Sequence, residues 1–219
     1  MSKNSNRKYW ILGLLGSLMF GVGDWLLGYV DPQPVSNVFS VLKSGHGATY
    51  GLWKINLTLF LGALGVPLLY AGCTHIAKFV SDKKSRKTME WSMGLLPIGW
   101  LLIHFTVSCG IYVYAWNMQQ GDPALALALA EDMERMLSLA QGVGDLFAAF
   151  PLILLPIMVL RKKTEFNRIS QVFTPLLWMV LLSAVKFIFP ATPFTNGIDV
   201  FCMNAGMMIW FSYLLFAKP

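Results

Sequence analysis

The sequence predicts an all-α, polytopic integral membrane protein with six transmembrane helices and both termini in the cytoplasm. Three observations predict it. Of its 219 residues, 56% are hydrophobic and only 13% are charged, whereas an ordinary soluble chain carries about 25% charged residues. The apolar residues gather into six blocks, each near the roughly 20 residues a helix needs to cross a hydrocarbon layer of about 30 Å. The cations, finally, concentrate in alternate connections. A strand in lipid leaves its backbone unpaired unless it closes into a barrel, and the alternating barrel pattern is absent, so each block is helical.

The first span covers residues 10–30, behind a basic leader. It is longer than the apolar core of a signal peptide, carries Asp24 and lacks a small-residue cleavage site, so it reads as a retained helix. The second (55–80) and third (91–116) are joined by a short basic loop at 81–90, which makes them antiparallel neighbours. The fourth (143–160) and fifth (172–189) are joined the same way at 161–171, and the sixth covers 198–217. Trp10, Trp91 and Trp116 lie at span ends, where interfacial anchors belong.

The two connections on the other face are less plain. Residues 31–54 are rich in Pro, Gly and Ser and are expected to fold over the mouth of the bundle. In the other, Asp122-Pro123 is a helix start, a capping residue followed by proline at the first helical position. Alternating Ala and Leu continue it to Ala130. An outer helical extension over 123–142, running into the fourth span, is expected, either as a spacer or as a lid.

Lys and Arg in short loops are retained on the cytoplasmic side. The N-terminus (Lys3, Arg7, Lys8), the second loop with its helix end (Lys78, Lys83, Lys84, Arg86, Lys87), the fourth loop (Arg161, Lys162, Lys163, Arg168) and Lys218 hold most of the 17 cations. Only Lys43, Lys54 and Arg135 lie on the opposite side. The net charge of +6 therefore follows from topology and attraction to anionic headgroups in a plasma membrane, with no nucleic-acid partner. Cys73, Cys109 and Cys202 all fall within spans and read as small buried residues. No metal or cofactor is expected, since His46, His75 and His104 stand at unrelated depths.

An ionisable side chain inside a span costs at least a few kcal/mol on insertion scales and normally faces a partner or a water-filled cavity. Asp24, His104, Asp145, Lys186, Asp199 and Asn204 all count to the outer half of the spans, with Asp24 and Asn204 each about 9 Å inside a helix end. Lys186 needs a carboxylate, and three acids are at a compatible depth. His75 and Glu90 belong to the inner side, as candidates for an exit route. The expected site is thus an acidic pocket lined by Asp24, Asp145, Lys186, Asn204, His104 and Asp199, with Trp25 beside it.

Residues Ser17–Asp24 match Ser138–Asp145 at six of eight positions, both ending in Gly-Val-Gly-Asp. The paired glycines let a neighbouring backbone or ligand approach beside the carboxylate, which would make two similar walls of one pocket. The string resembles the catalytic motif of the GxGD intramembrane aspartyl proteases, presenilin-like and prepilin-peptidase-like enzymes whose two membrane aspartates activate water. That resemblance covers four residues at each site and implies Asp24 and Asp145 as the pair. The wider pattern Gly21-Val22-Gly23-Asp24-Trp25-Leu26-Leu27, with Asn204-Ala205-Gly206-Met207-Met208-Ile209-Trp210 in the last span, is similar to a group of small bacterial multi-helix membrane proteins of unknown function. A Gly-Asp followed by apolar residues is also loosely similar to the membrane lysoplasmalogenases.

Three functions fit these residues. The first is binding or transport of a small polar or amphiphilic ligand through the acidic pocket. The second is an intramembrane enzyme acting on a lipid or isoprenoid, with Asp24 and Asp145 as acid and base. The third is a structural or partner-binding subunit whose polar groups satisfy one another. The expected partners are the lipid bilayer and a small-molecule or lipid-like ligand, and a homo-oligomer is compatible with all three.

Overall fold

The computed structural model describes residues 3–30 and 49–217, with side chains from residue 6. The expected fold over the mouth by residues 31–54 therefore lies mostly outside the described residues, as do Lys43, His46 and Lys218. Among the described residues there are seven α-helices and no strand: α1 (Lys3–Gly28), α2 (Leu52–Ile76), α3 (Lys83–Gln119), α4 (Pro123–Leu160), α5 (Pro175–Ser183), α6 (Val185–Ile188) and α7 (Pro193–Phe216). Six helical stretches are long and apolar enough to cross a membrane. Their length and composition suit a membrane protein.

The helices neighbour one another in the order α4, α3, α2, α1, α7, α5. Small residues set the closest crossings. A Cβ added at Gly16 of α1 would lie 2.5 Å from the Leu69 backbone nitrogen and 2.9 Å from the Gly65 carbonyl of α2. At Gly99 of α3 it would lie 2.5 Å from the Gly144 carbonyl of α4. Without a hydrophobic driving force between helices in lipid, such close backbone contact supplies the dispersion that holds them. Asn196 of α7 donates to the Gly28 carbonyl at 2.7 Å and satisfies an orphan acceptor at the end of α1.

One end of the bundle carries the basic loops. Ser81 N–H donates to the Lys163 carbonyl at 2.9 Å and Glu165 N–H to the Phe79 carbonyl at 2.8 Å, around a lone bridge between Val80 and Thr164. The two basic connections are thereby pinned side by side. His75 also belongs here, its Nε2 lying 3.0 Å from Asn6 Oδ1 and its ring stacked on Tyr9. Beneath them, Trp10, Met89, Leu155 and Trp210 belong to a core to which α1, α2, α3, α4 and α7 all contribute.

Asp82 starts α3 as its N-cap, accepting from Ser85 N–H at 2.8 Å. Hydrogen bonds from Ser85, with the Lys163 ammonium adding to them, hold the Asp82 carboxyl below the usual carboxylate range. A carboxyl depressed in the folded state contributes stability that is complete above its unfolded pKa and is lost as pH falls through the folded value. Asp82→Ala is therefore expected to lower the melting temperature near neutral pH, with the gap from wild type closing below about pH 4. Thermal unfolding in detergent across a pH series checks this.

The opposite, far end carries the outer helical extension, and the fifth and sixth spans there depart from their expected bounds. Segment 123–142 is continuous with the fourth span in one 38-residue helix. Its Ala126 and Ala130 are buried in a second cluster with Ile111, Tyr114 and Ala115 of α3, so it packs along α3 rather than over a mouth. The turn before it needs Gly121, whose φ of 86° is left-handed. The fifth span is broken: a 3-10 turn over Arg168–Phe173, then α5 and the four-residue α6. The last helix begins at Pro193, five residues before the expected start, where Thr192 and Thr195 form a reciprocal capping box.

Candidate functional site

Three helices deliver one polar side chain each to a single buried point. Asp24 of α1 is 8% exposed, His104 of α3 4% and Asn204 of α7 0%. His104 Nδ1 lies 3.0 Å from Asp24 Oδ1, and the Asn204 carboxamide nitrogen donates to Asp24 Oδ2. His104 Nδ1 faces the carboxylate oxygen, so an N–H there donates to Asp24. The carboxylate is thus clamped on both oxygens.

The local sequence explains why the side chains fit. Gly21 turns toward α7, where an added Cβ would meet Phe201 and come within 3.3 Å of the Asn204 Cβ. Gly23 turns the other way, its added Cβ 3.1 Å from His104 Nε2 and 3.2 Å from the Thr58 methyl. Gly62 of α2 closes the slot around the imidazole at 3.2 Å. Thr58 donates to the Gly23 carbonyl at 3.1 Å, and Phe20 meets the His104 ring edge-on at 5.3 Å. Each glycine of the motif makes room on a different side of Asp24.

Among the described residues, three buried polar atoms here have no hydrogen-bond partner: His104 Nε2, Asn204 Oδ1 and, one turn beyond His104 on α3, Ser108 Oγ. Native proteins leave few such atoms, and each asks for an explanation. A neutral imidazole protonated on Nδ1 offers an acceptor at Nε2, and the serine hydroxyl can donate or accept. The centre therefore retains hydrogen-bonding capacity beyond what its own members use.

Depth counted along α1 alone places Asp24 nearer the far end than the structure does. α1 stops four residues after Asp24, whereas α3 runs fifteen residues past His104, about 6 Å against about 22 Å. Since Gly23 abuts His104, the two stand level, and α3 overhangs α1. Asn204 lies eleven residues, about 16 Å, below the start of α7.

The other candidate residues lie elsewhere. Lys186 and Asp199 form their own ion pair at 2.9 Å between α6 and α7, nearly half of the lysine side chain being exposed. Asp145 is exposed on α4. Its motif copy is built differently: a Cβ at Gly142 would meet nothing within 4 Å, and Gly144 is used against the Gly99 carbonyl of α3. The two Gly-Val-Gly-Asp strings are not two walls around one carboxylate pair. Trp25 is half-buried, stacked on Tyr29 and edge-on to Phe194 and Phe201 on the α7 side. Thr58, Gly62 and Ser108 were not singled out in the sequence, although four-residue spacing puts Thr58 beside Gly62 and Ser108 beside His104.

The chain belongs to a family of unknown function, DUF6796, whose model matches residues 1–218. No curated protein and no solved structure matches it.

Proposed function

We propose that the protein is a multi-pass plasma-membrane protein, its basic end and both termini in the cytoplasm, that binds or carries a small polar or amphiphilic ligand through the Asp24–His104–Asn204 centre. One observation carries this reading: a carboxylate, an imidazole and a carboxamide from three helices meet at one buried level and still leave His104 Nε2, Asn204 Oδ1 and Ser108 Oγ unpaired. Ionisable groups in spans are expensive and default to function. A purely structural network would be expected to satisfy its own members. The Lys186–Asp199 pair, five residues from Asn204 along α7, marks the approach from the far end.

An aspartate acid/base pair has less support, because Asp145 is exposed on α4 while Asp24 is held between α1, α3 and α7. The test is proton movement in proteoliposomes loaded with a pH-sensitive dye, challenged with a panel of amines, amino acids and short-chain carboxylates. At least one class is expected to evoke a signal that Asp24→Asn reduces tenfold or more and Asp145→Asn leaves near wild type. A wild-type response from Asp24→Asn removes the proposal.

A further inference from the structure

Lys87, Trp91 and Leu95 follow one another at four-residue steps and make a ridge along the basic end of α3. A cavity of about 760 Å³ lies on one side of that ridge, against Tyr70 of α2. Another, of about 400 Å³, lies on the other side, against Phe150 of α4. The same three residues line both.

Polarity is graded along the ridge. Lys83, Arg86 and Lys87 stand at the mouth of the larger cavity, Glu90 follows, and Gly94, Leu95 and Ile98 line it further from the basic end. Arg86 is held in place, its Nε donating to the Val80 carbonyl at 3.0 Å, which leaves the end of its guanidinium free to face a ligand. Among the described residues, neither Lys83 nor Lys87 has an ion-pair partner. With Lys84 lining the smaller cavity, four cations stand against the single carboxylate of Glu90, an excess that fits an anionic, phosphate-bearing head. Trp91, 68% exposed, divides the two apolar grooves beneath.

We propose that this end of α3 binds an anionic two-chain phospholipid, its phosphate on Lys83, Arg86 and Lys87 and one acyl chain in the groove on each side of Trp91. Basic pockets between membrane helices on the cytoplasmic side bind anionic lipid heads. Tyr70 lies over Gly94, whose added Cβ would sit 3.3 Å from the ring, so the absent side chain deepens the larger groove. The site rests on the membrane placement proposed above but not on the Asp24 centre.

The experiment is quenching of tryptophan fluorescence in phosphatidylcholine vesicles carrying either dibrominated phosphatidylglycerol or dibrominated phosphatidylcholine. The Trp91 signal is taken as the difference from Trp91→Phe. Brominated phosphatidylglycerol is expected to saturate that signal at low mole fraction, and Lys83→Gln/Lys87→Gln to weaken the effect about thirtyfold, at about fivefold per cation near an anionic surface. Both lysines are exposed, so the double variant keeps the fold, which circular dichroism checks. Asp24→Asn is expected to bind as wild type, so the lipid site and the buried centre fail separately. Equal quenching by the two brominated lipids, full competition by soluble glycerol phosphate, or equal competition by the one-chain lysophospholipid would each overturn the proposal.

Discussion

Asp24→Ala is expected to lower the unfolding free energy by about 2–4 kcal/mol, the largest loss from any single polar substitution in the bundle. The carboxylate is the shared acceptor of His104 and Asn204, and its removal strands two buried donors on two other helices. A hydrogen bond to a charged group contributes about 1.5–3 kcal/mol, while neutral interhelical bonds in membranes average about 0.6 kcal/mol. Two bonds to one buried carboxylate fall between those limits. Asn204→Ala alone is expected to cost less, because His104 still holds Asp24. The double variant should fall short of the sum by about 1 kcal/mol or more, as residues in one network do. Reversible unfolding in mixed detergent micelles gives all three values; strict additivity would mean that the side chains do not act together.

Gly16→Leu is expected to be more damaging still, with little monodisperse protein recovered. The new side chain would start 2.5 Å from the Leu69 nitrogen and 2.9 Å from the Gly65 carbonyl, and neither backbone atom can rotate away. Overpacking of this kind costs about 1–3 kcal/mol where neighbouring side chains yield, and here none stands in the way to yield. Displacing α1 from α2 also pulls Gly23 off Thr58 and His104, so the polar centre is lost with the crossing. Gly142→Ala supplies the contrast. Its Cβ meets nothing within 4 Å, and a glycine in a helix interior costs about 0.5–1 kcal/mol relative to alanine, so that variant should be slightly more stable. Yield from size-exclusion chromatography and melting temperature separate the two outcomes.

The six spans and the Asp122-Pro123 helix start were legible because length, hydropathy and capping act within one helix. The start of α7 was open to the same reasoning, since Thr192-Pro193 with Thr195 is a helix-start pattern, but the apolar block begins later and drew the boundary inward. Asp24, His104 and Asn204 could each be named as intramembrane polar residues. Their grouping could not. Depth is one coordinate, and the other is which helix stands beside which, settled here by glycine crossings such as Gly16 on Gly65 and Gly99 on Gly144. That is why the matching motif led to Asp145, which has the right residues and the wrong neighbours. Lys186 and Asp199 were expected to share the pocket; they pair with each other because α6 turns back directly onto α7.

The bond between Asp24 and Asn204 spans 180 positions of sequence. At ribosomal speeds of about 5–20 residues per second, the aspartate emerges roughly 10–35 s before its amide partner is made. During translation the first helix therefore waits for the last with its acid held by at most one of its two side-chain partners. Late closure of the bundle is thus a step of biogenesis that this fold imposes on the cell.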